Sequence, residues 1–296
     1  MSDDRRIGVF DSGVGGLTVA RAILDLLPTE SLLYIGDTAR VPYGPRPLDE
    51  VRGYAAQAIE VFRLAGVKLA VIACNTSVSA GIEGAADRSL VPVIGVLDPG
   101  AKAAADLAAR WSSAGGPRRP RVPKIAVIAT EGTVRSGSYP EALRRHGFAG
   151  EVIQRACPRF VLMAESGETA TSVARQAVAE DLAEVAEANP DILVLGCTHF
   201  PHLGEAIAAA IGPRTAIIDP AKATARAVAA FLTDRRQLAS GDGAPRSHRF
   251  LISGDREAFR RVGETFFGRP IEDLDPVDLE RFSPRGDLFG TDRRPS

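Results

Sequence analysis

Short apolar runs alternate along the chain with longer stretches whose apolar residues recur at helical spacing, which predicts βαβ units and a mainly parallel sheet. Strands are expected at residues 7–10, 32–35, 70–73 and 93–96. Between the second and third, residues 48–64 set Val51, Ala55, Ala58, Val61 and Phe62 near one helical face, so a helix there should cover the sheet. Around residue 98 the pattern begins again, with strands expected at 125–129, 152–154, 192–195 and 215–218. Helices are expected at 138–145, 172–188 and 202–211. A helical pattern at 223–232, a strand at 250–253 and a helix at 257–267 follow. Residues 112–123 and 237–245, rich in Ser, Gly, Pro and Arg, read as surface loops.

The two halves echo each other. Gly8-Val9-Phe10-Asp11-Ser12-Gly13 is matched by Val127-Ile128-Ala129-Thr130-Glu131-Gly132, each an apolar strand running into a hydroxyl and a glycine. Ala70-Val71-Ile72-Ala73-Cys74-Asn75-Thr76 is matched by Ile192-Leu193-Val194-Leu195-Gly196-Cys197-Thr198, and Val96-Leu97-Asp98-Pro99 by Ile217-Ile218-Asp219-Pro220. Three echoes at nearly one offset indicate a duplicated unit. The expected fold is α/β with two similar domains, each a mainly parallel sheet flanked by helices, related by pseudo-two-fold symmetry with the active site between them. If both Asp-Pro steps are crossovers, residues 1–98 with 219–281 form the first domain and 99–218 the second. Residues 282–296 form a polar tail.

A chain of 296 residues suits two ordinary domains, each able to bury its own core. Its 36 Lys and Arg against 37 Asp and Glu give a net charge of -1, which leaves no electrostatic footprint for nucleic acid or an anionic membrane. The expected partner is a small molecule. Residues 1–6 are polar and lead straight into the first strand, so no signal peptide is expected. No apolar run approaches the roughly 18 residues of a membrane span. A cytoplasmic protein is expected, with Cys74, Cys157 and Cys197 as free thiols, since an odd, widely spaced set without a CxxC pair fits neither a disulfide scaffold nor a structural zinc site.

Ligands of open parallel sheets collect outside the carboxyl ends of the strands. Cys74 and Cys197 each end an apolar strand and precede small polar residues that open a helix, where a thiolate or a substrate carboxylate is favoured. A free cysteine often only fills a core, and Cys157 is read that way. Burial alone does not account for two cysteines at matching strand ends. Asp11 caps a helix beginning near Leu17 or serves the site, and the glycine turn behind it lacks the lysine of a Walker loop and the dinucleotide spacing. That turn reads as close backbone approach to a small ligand. His199, two residues after Cys197, is placed to assist proton movement there, while His202 reads as structural. No further ligand cluster accompanies these histidines, so no metal site is expected.

Two thiols on opposite sides of a carbon next to a carboxylate can invert it, one removing a proton and the other returning one. At this point the chain resembles the glutamate racemases of the aspartate/glutamate racemase superfamily. The resemblance runs from Ile7 to about Leu279. It is carried by Gly8-Val9-Phe10-Asp11-Ser12-Gly13-Val14-Gly15-Gly16-Leu17, Gly36-Asp37-Thr38-Ala39-Arg40-Val41-Pro42-Tyr43-Gly44, Ala73-Cys74-Asn75-Thr76-Ser77 and Leu195-Gly196-Cys197-Thr198-His199. It implies interconversion of L- and D-glutamate for bacterial peptidoglycan, without pyridoxal phosphate, metal or nucleotide, in a homodimer. It further implies Cys74 and Cys197 as the acid/base thiols, Asp11 assisting the first and His199 the second, with Glu165 a further candidate. Substrate would be held by Asp11, Ser12, Pro42, Tyr43, Gly44, Asn75, Thr76, Thr130, Thr133 and Thr198.

That set holds no Lys or Arg, so hydroxyls, amides and backbone N–H groups must hold the carboxylates. Arg40 reads equally well as structural. Glu131, beside the substrate threonines, is expected to face solvent, where it would not repel a dicarboxylate. Three other readings remain open: a racemase for another acid such as aspartate, a cysteine hydrolase using Cys197 with His199, and a two-domain amino-acid binding protein in which the thiols are incidental.

Overall fold

Strand order accounts for the echo between the halves. A computed structural model describes residues 2–82, 91–113, 122–241 and 247–282. The first part runs β1 (Ile7–Asp11), α1 (Leu17–Leu26), β2 (Leu32–Gly36), α2 (Leu48–Leu64), β3 (Leu69–Ile72), α3 (Asn75–Ser79) and β4 (Val93–Gly95). The middle follows as α4 (Leu97–Ser113), β5 (Ile125–Ala129), α5 (Glu131–Ser136), α6 (Ser138–Arg145), β6 (Val152–Ala156), α7 (Pro158–Ser166), α8 (Ser172–Asp181), α9 (Ala183–Glu187), β7 (Ile192–Gly196), α10 (Gly204–Ile211) and β8 (Ala216–Ile218). The chain ends with α11 (Pro220–Asp234), β9 (Arg249–Ile252), α12 (Arg256–Phe267) and β10 (Asp273–Pro276).

Two sheets result, ordered β10-β9-β2-β1-β3-β4 and β6-β5-β7-β8, with every pairing parallel. The run β2-β1-β3-β4 in the larger sheet has the same order as β6-β5-β7-β8. Ile7 pairs with Leu32 and Leu69 as Ile125 pairs with Val152 and Ile192. Parallel strands need crossover connections, and the helices supply them. The α/β architecture is therefore as expected.

Alternation of side chains along a strand splits the smaller sheet between two cores. Ile125, Val127, Ala129, Ile192 and Val194 join a cluster that also includes Ile7, Phe10, Ile35 and Val71 of the larger sheet. Ala126, Ile128, Leu193 and Leu195 face the other way, onto Phe160, Val178, Leu182 and Leu203. Cys157 sits in this second cluster, fully buried.

Several expectations change. The helix expected over 172–188 is two helices, α8 and α9, with Leu182 between them. The one expected over 202–211 begins at Gly204, after a 3-10 turn at Phe200–Leu203. Three helices had not been read. Both α4 and α7 carry a proline in their opening residues, a position where proline suits a helix start rather than ending one. The third, α5, is a short helix of 6 residues. Strand β10 (DLDP) had not been read either, because a proline-bearing, half-polar run fits only an edge strand. Of the two expected loops, 112–113 end α4, while 114–121 and 242–246 lie outside the described residues, as do 283–296 of the expected tail. Among the described residues no helix is long and apolar enough to cross a membrane.

Candidate active site

Strands β1, β3, β5 and β7 all end on one side, and each delivers a site residue there: Asp11, Cys74, Thr130 and Cys197. Between them lies a cavity of about 210 Å³ whose walls include both thiols. Ser12, Asn75 and Thr76 line it beside Cys74, Pro42, Tyr43 and Gly44 come from the loop after β2, and Thr130 from the end of β5. Thr198, His199 and Glu165 complete the polar part. Asp11 and Thr133, expected to touch the substrate, are fully buried and do not line the cavity. They stand behind its wall.

Cys74 occupies the N-cap of α3 with its Sγ 3.7 Å from Ser12 Oγ. Burial pushes this thiol up to about 11, and the Asp11 charge adds to the shift, against smaller opposing contributions from Ser77 and Ser12. Cys74 is thus held as a thiol. Burial likewise raises Asp11 above the ordinary carboxylate range, opposed by the charge of His199, the N–H groups of Gly13 and Gly16 and the Thr198 hydroxyl. Asp11 Oδ2 accepts from Gly13 N at 3.0 Å and Oδ1 from Thr198 Oγ1 at 3.4 Å, so it ties the first loop to the Cys197 loop.

The second thiol has a different partner. Cys197 Sγ lies 3.6 Å from His199 Nδ1, and His199 Nε2 lies 3.2 Å from Glu165 Oε1. Burial disfavours the imidazolium, but Cys197, Glu165 and Asp11 outweigh it and push His199 up to about 10. An imidazolium facing a sulfur is a partner suited to its thiolate. The site therefore sets a thiol on one wall against a cysteine paired with an imidazolium on the other.

Contacts between the halves fix the cavity's width. Thr76 Oγ1 and Thr130 Oγ1 are 2.9 Å apart, and Thr130 donates to Thr133 Oγ1 at 3.2 Å. Gly44 O accepts from Gly132 N at 2.9 Å. Tyr139, which sequence reasoning missed, donates to Asn75 Oδ1 at 2.8 Å, so the Asn75 amide nitrogen remains as the donor for the cavity. Arg40 is structural: its guanidinium pairs with Asp37 at 2.7 Å and Gln57 at 2.8 Å and lies over the Tyr54 ring, while Tyr43 also donates to Asp37. Among the described residues no Lys or Arg lines the cavity. Glu131 is exposed, as expected, yet also borders the cavity. Pro158, Val161 and Leu162 of α7 form an apolar wall that the sequence did not signal. Among the described residues no group of three or more His, Cys, Asp or Glu is arranged for a metal ion.

The glycine turn after β1 owes its composition to close approach. A Cβ on Gly15 would stand 2.3 Å from Thr198 Oγ1 and 2.7 Å from the His199 ring, and one on Gly16 would stand 2.4 Å from Asp11 Cβ. Gly15→Ala should therefore displace His199 and lower turnover by about 100-fold, since ångström-scale misplacement of catalytic groups costs that much. Gly53→Ala, inside α2 with nothing near its Cβ, is the matched control and should raise stability by about 0.5–1 kcal/mol. Steady-state kinetics and thermal melts of the two variants check both statements.

Comparison with known proteins agrees with this geometry. The Asp/Glu/Hydantoin racemase family model matches residues 7–228. A glutamate racemase of Symbiobacterium thermophilum is 44% identical over 259 residues, covering 87% of this chain and 89% of that protein. The structure of glutamate racemase isoform RacE1 from Bacillus anthracis superposes with a TM-score of 0.84 at 36% identity, covering 93% of this chain and 98% of that one. A Francisella tularensis glutamate racemase in complex with D-glutamate gives a TM-score of 0.83 at 30% identity, covering 95% of this chain and 100% of that one. Likeness in sequence over most of the chain, and in fold over nearly all of it, makes this protein an isomerase that belongs to the Asp/Glu/Hydantoin racemase family, among its glutamate racemases.

Proposed function

We propose that the protein interconverts L- and D-glutamate by passing the α-proton between Cys74 and Cys197. The observation that carries this reading is that two buried thiols, at the ends of matching strands, open onto one cavity with unlike electrostatic partners. In the L-to-D direction the Cys197 thiolate, paired with the His199 imidazolium, removes the α-proton. The carbon gains a lone pair, and the Cys74 thiol delivers its own proton to the opposite face. Cys197 ends as a thiol and Cys74 as a thiolate, the arrangement that D-glutamate needs for the return. Asp11 and Glu165 act through the groups beside them, the first near Cys74 and the second by holding His199 Nε2.

The substrate carboxylates are held by neutral donors: the Ser12 hydroxyl, the Asn75 amide and the backbone N–H groups of Tyr43 and Gly44, joined by the hydroxyls of Thr76, Thr130 and Thr198 as they turn from their resting partners, with Pro42 shaping the loop and Thr133 beside Thr130. Preorganised neutral donors suit an anion whose charge grows on proton removal. The reaction in this reading uses no pyridoxal phosphate, metal or nucleotide. D-glutamate bound to the Francisella tularensis relative supports the substrate. The division at Asp98 and Asp219 into two racemase domains is part of the proposal, supported by the repeated strand order. Cytoplasmic supply of D-glutamate to peptidoglycan by a homodimer rests on the family resemblance. Light scattering of the purified protein tests the last point.

Circular dichroism of L-glutamate with the purified protein tests the activity: the signal should decay to zero, and L-aspartate should keep its signal. Decay with aspartate alone would move the assignment to another acid. The pH profile follows from the two shifted groups. His199 keeps its proton up to about 10 and Cys74 up to about 11, so L-to-D turnover should hold through moderately basic pH and fall above pH 10. Both values lie above the ordinary 6.5 and 9.0. The stability these groups contribute is therefore complete below the ordinary values and lost as pH rises through the folded ones, which denaturant melts at neutral and strongly basic pH will show.

A further inference from the structure

We infer that Phe266, near the end of α12, is a positioning residue for the reaction, holding the His199 ring between Cys197 and Glu165. The inference rests on the two-thiol reading and extends it to a helix that none of the sequence motifs touches. His199 is pinned at both nitrogens, by Cys197 at 3.6 Å and Glu165 at 3.2 Å. Two hydrogen bonds still leave a ring free to rock about the line joining them. Gly15 closes one approach, its Cβ position lying 2.7 Å from the ring. Phe266 closes another: its ring meets His199 nearly edge-on, at 73° with centroids 5.8 Å apart. His202 lies against the same phenyl ring, with centroids 3.5 Å apart.

The setting of Phe266 is rigid. Asp255 caps the start of α12 through Glu257 N and Ala258 N, and Gly268 ends it in the left-handed region at φ 69. Phe259, Gly263, Phe266 and Phe267 form its buried face, with the Gly263 Cβ position 2.9 Å from Leu17 of α1. Helix α12 thus leans on the helix that follows the Asp11 loop and presents Phe266 to the Cys197 loop. Phe266 does not line the cavity and is 3% exposed, so it acts on substrate only through His199. The charged and titratable groups around the pair are Cys197, Glu165, Asp11 and His202, with Arg21 beyond His202. Burial, His199 and Arg21 together hold His202 down to about 4, so it stays neutral beside the imidazolium.

The chain has 4 histidines, which makes selective 15N-histidine labelling practical. In the substrate-free wild type, both ring N–H protons of His199 should exchange slowly with water and the ring should titrate near 10. In Phe266→Leu those protons should exchange fast and the titration should return toward the ordinary 6.5. Turnover should fall about 10- to 100-fold with KM little changed. Phe266→Tyr, which keeps the ring, should preserve the signals and the rate. If Phe266→Leu does not fold, Phe266→Met replaces it in the same comparison. Unchanged His199 exchange and titration in the folded leucine or methionine variant would overturn the inference, as would equal losses in that variant and Phe266→Tyr. Because the NMR readout needs no substrate, it separates this inference from the choice of glutamate: inactivity toward glutamate with a His199 signature that depends on Phe266 would leave the positioning role standing.

Discussion

Replacement of either Cys74 or Cys197 by serine should lower racemisation by on the order of 10³-fold or more, while the fold survives. The change is small in volume and leaves the loops intact, because serine suits the N-cap place that Cys74 holds on α3 and Cys197 precedes only a 3-10 turn. What serine removes is proton affinity in the working range. Cysteine can serve as a thiolate on one wall and a thiol on the other, whereas a buried hydroxyl cannot become an alkoxide base beside a carboxylate substrate. Each inversion uses both walls, so each single variant should be as inactive as the double variant. Steady-state circular dichroism on the three variants checks this. A hydrolase using only Cys197 would keep its activity in Cys74→Ser, and a binding protein would keep its affinity in the double variant.

Replacement of Glu30 by alanine should destabilise the protein by about 3–5 kcal/mol, because it leaves a buried ammonium without its counter-ion. Lys68 Nζ lies 2.6 Å from Glu30 Oε2, with both side chains 0% exposed. Its other two protons go to Asp3 O at 2.6 Å and Gln237 O at 2.8 Å, while Glu30 Oε1 accepts from Ala239 N at 2.9 Å. One ion pair therefore joins the polar amino-terminal segment, the turn after α1, the start of β3 and the segment after α11. The melting temperature should drop by on the order of 10 °C. The double replacement Glu30→Met with Lys68→Met should recover much of the loss, since apolar side chains of similar volume need no partner. Scanning calorimetry separates these outcomes, and turnover measured well below the melting point should stay near wild type.

The two thiols were legible because duplication wrote them twice: Cys74 and Cys197 stand at corresponding strand ends, and core packing alone gives no reason for that. The strands themselves were legible as short apolar runs, and the repeated sheet order follows from them. What stayed hidden depends on contacts between distant segments. Nothing in the local sequence of Tyr139 says that its hydroxyl will orient Asn75, and nothing near Phe266 points to His199. Asp11 and Thr133 were recognisable by type, yet only packing decides that they stand behind the wall rather than on it. The apolar side of the cavity was missed for a related reason. Pro158 opens α7 instead of closing an element, and Val161 and Leu162 then read as ordinary helix residues.

Isotope incorporation tests the central claim most directly. With L-glutamate in D2O and a trace of enzyme, the first turnovers should yield D-glutamate carrying deuterium at the α-carbon while the remaining L-glutamate keeps its hydrogen. One thiol removes the proton and the other, already exchanged with solvent, supplies the deuteron. Proton NMR with chiral separation reads both pools. Deuterium appearing in the unreacted L-glutamate as early as in the product would mean that a single base serves both faces, and would contradict the pairing of Cys74 with Cys197.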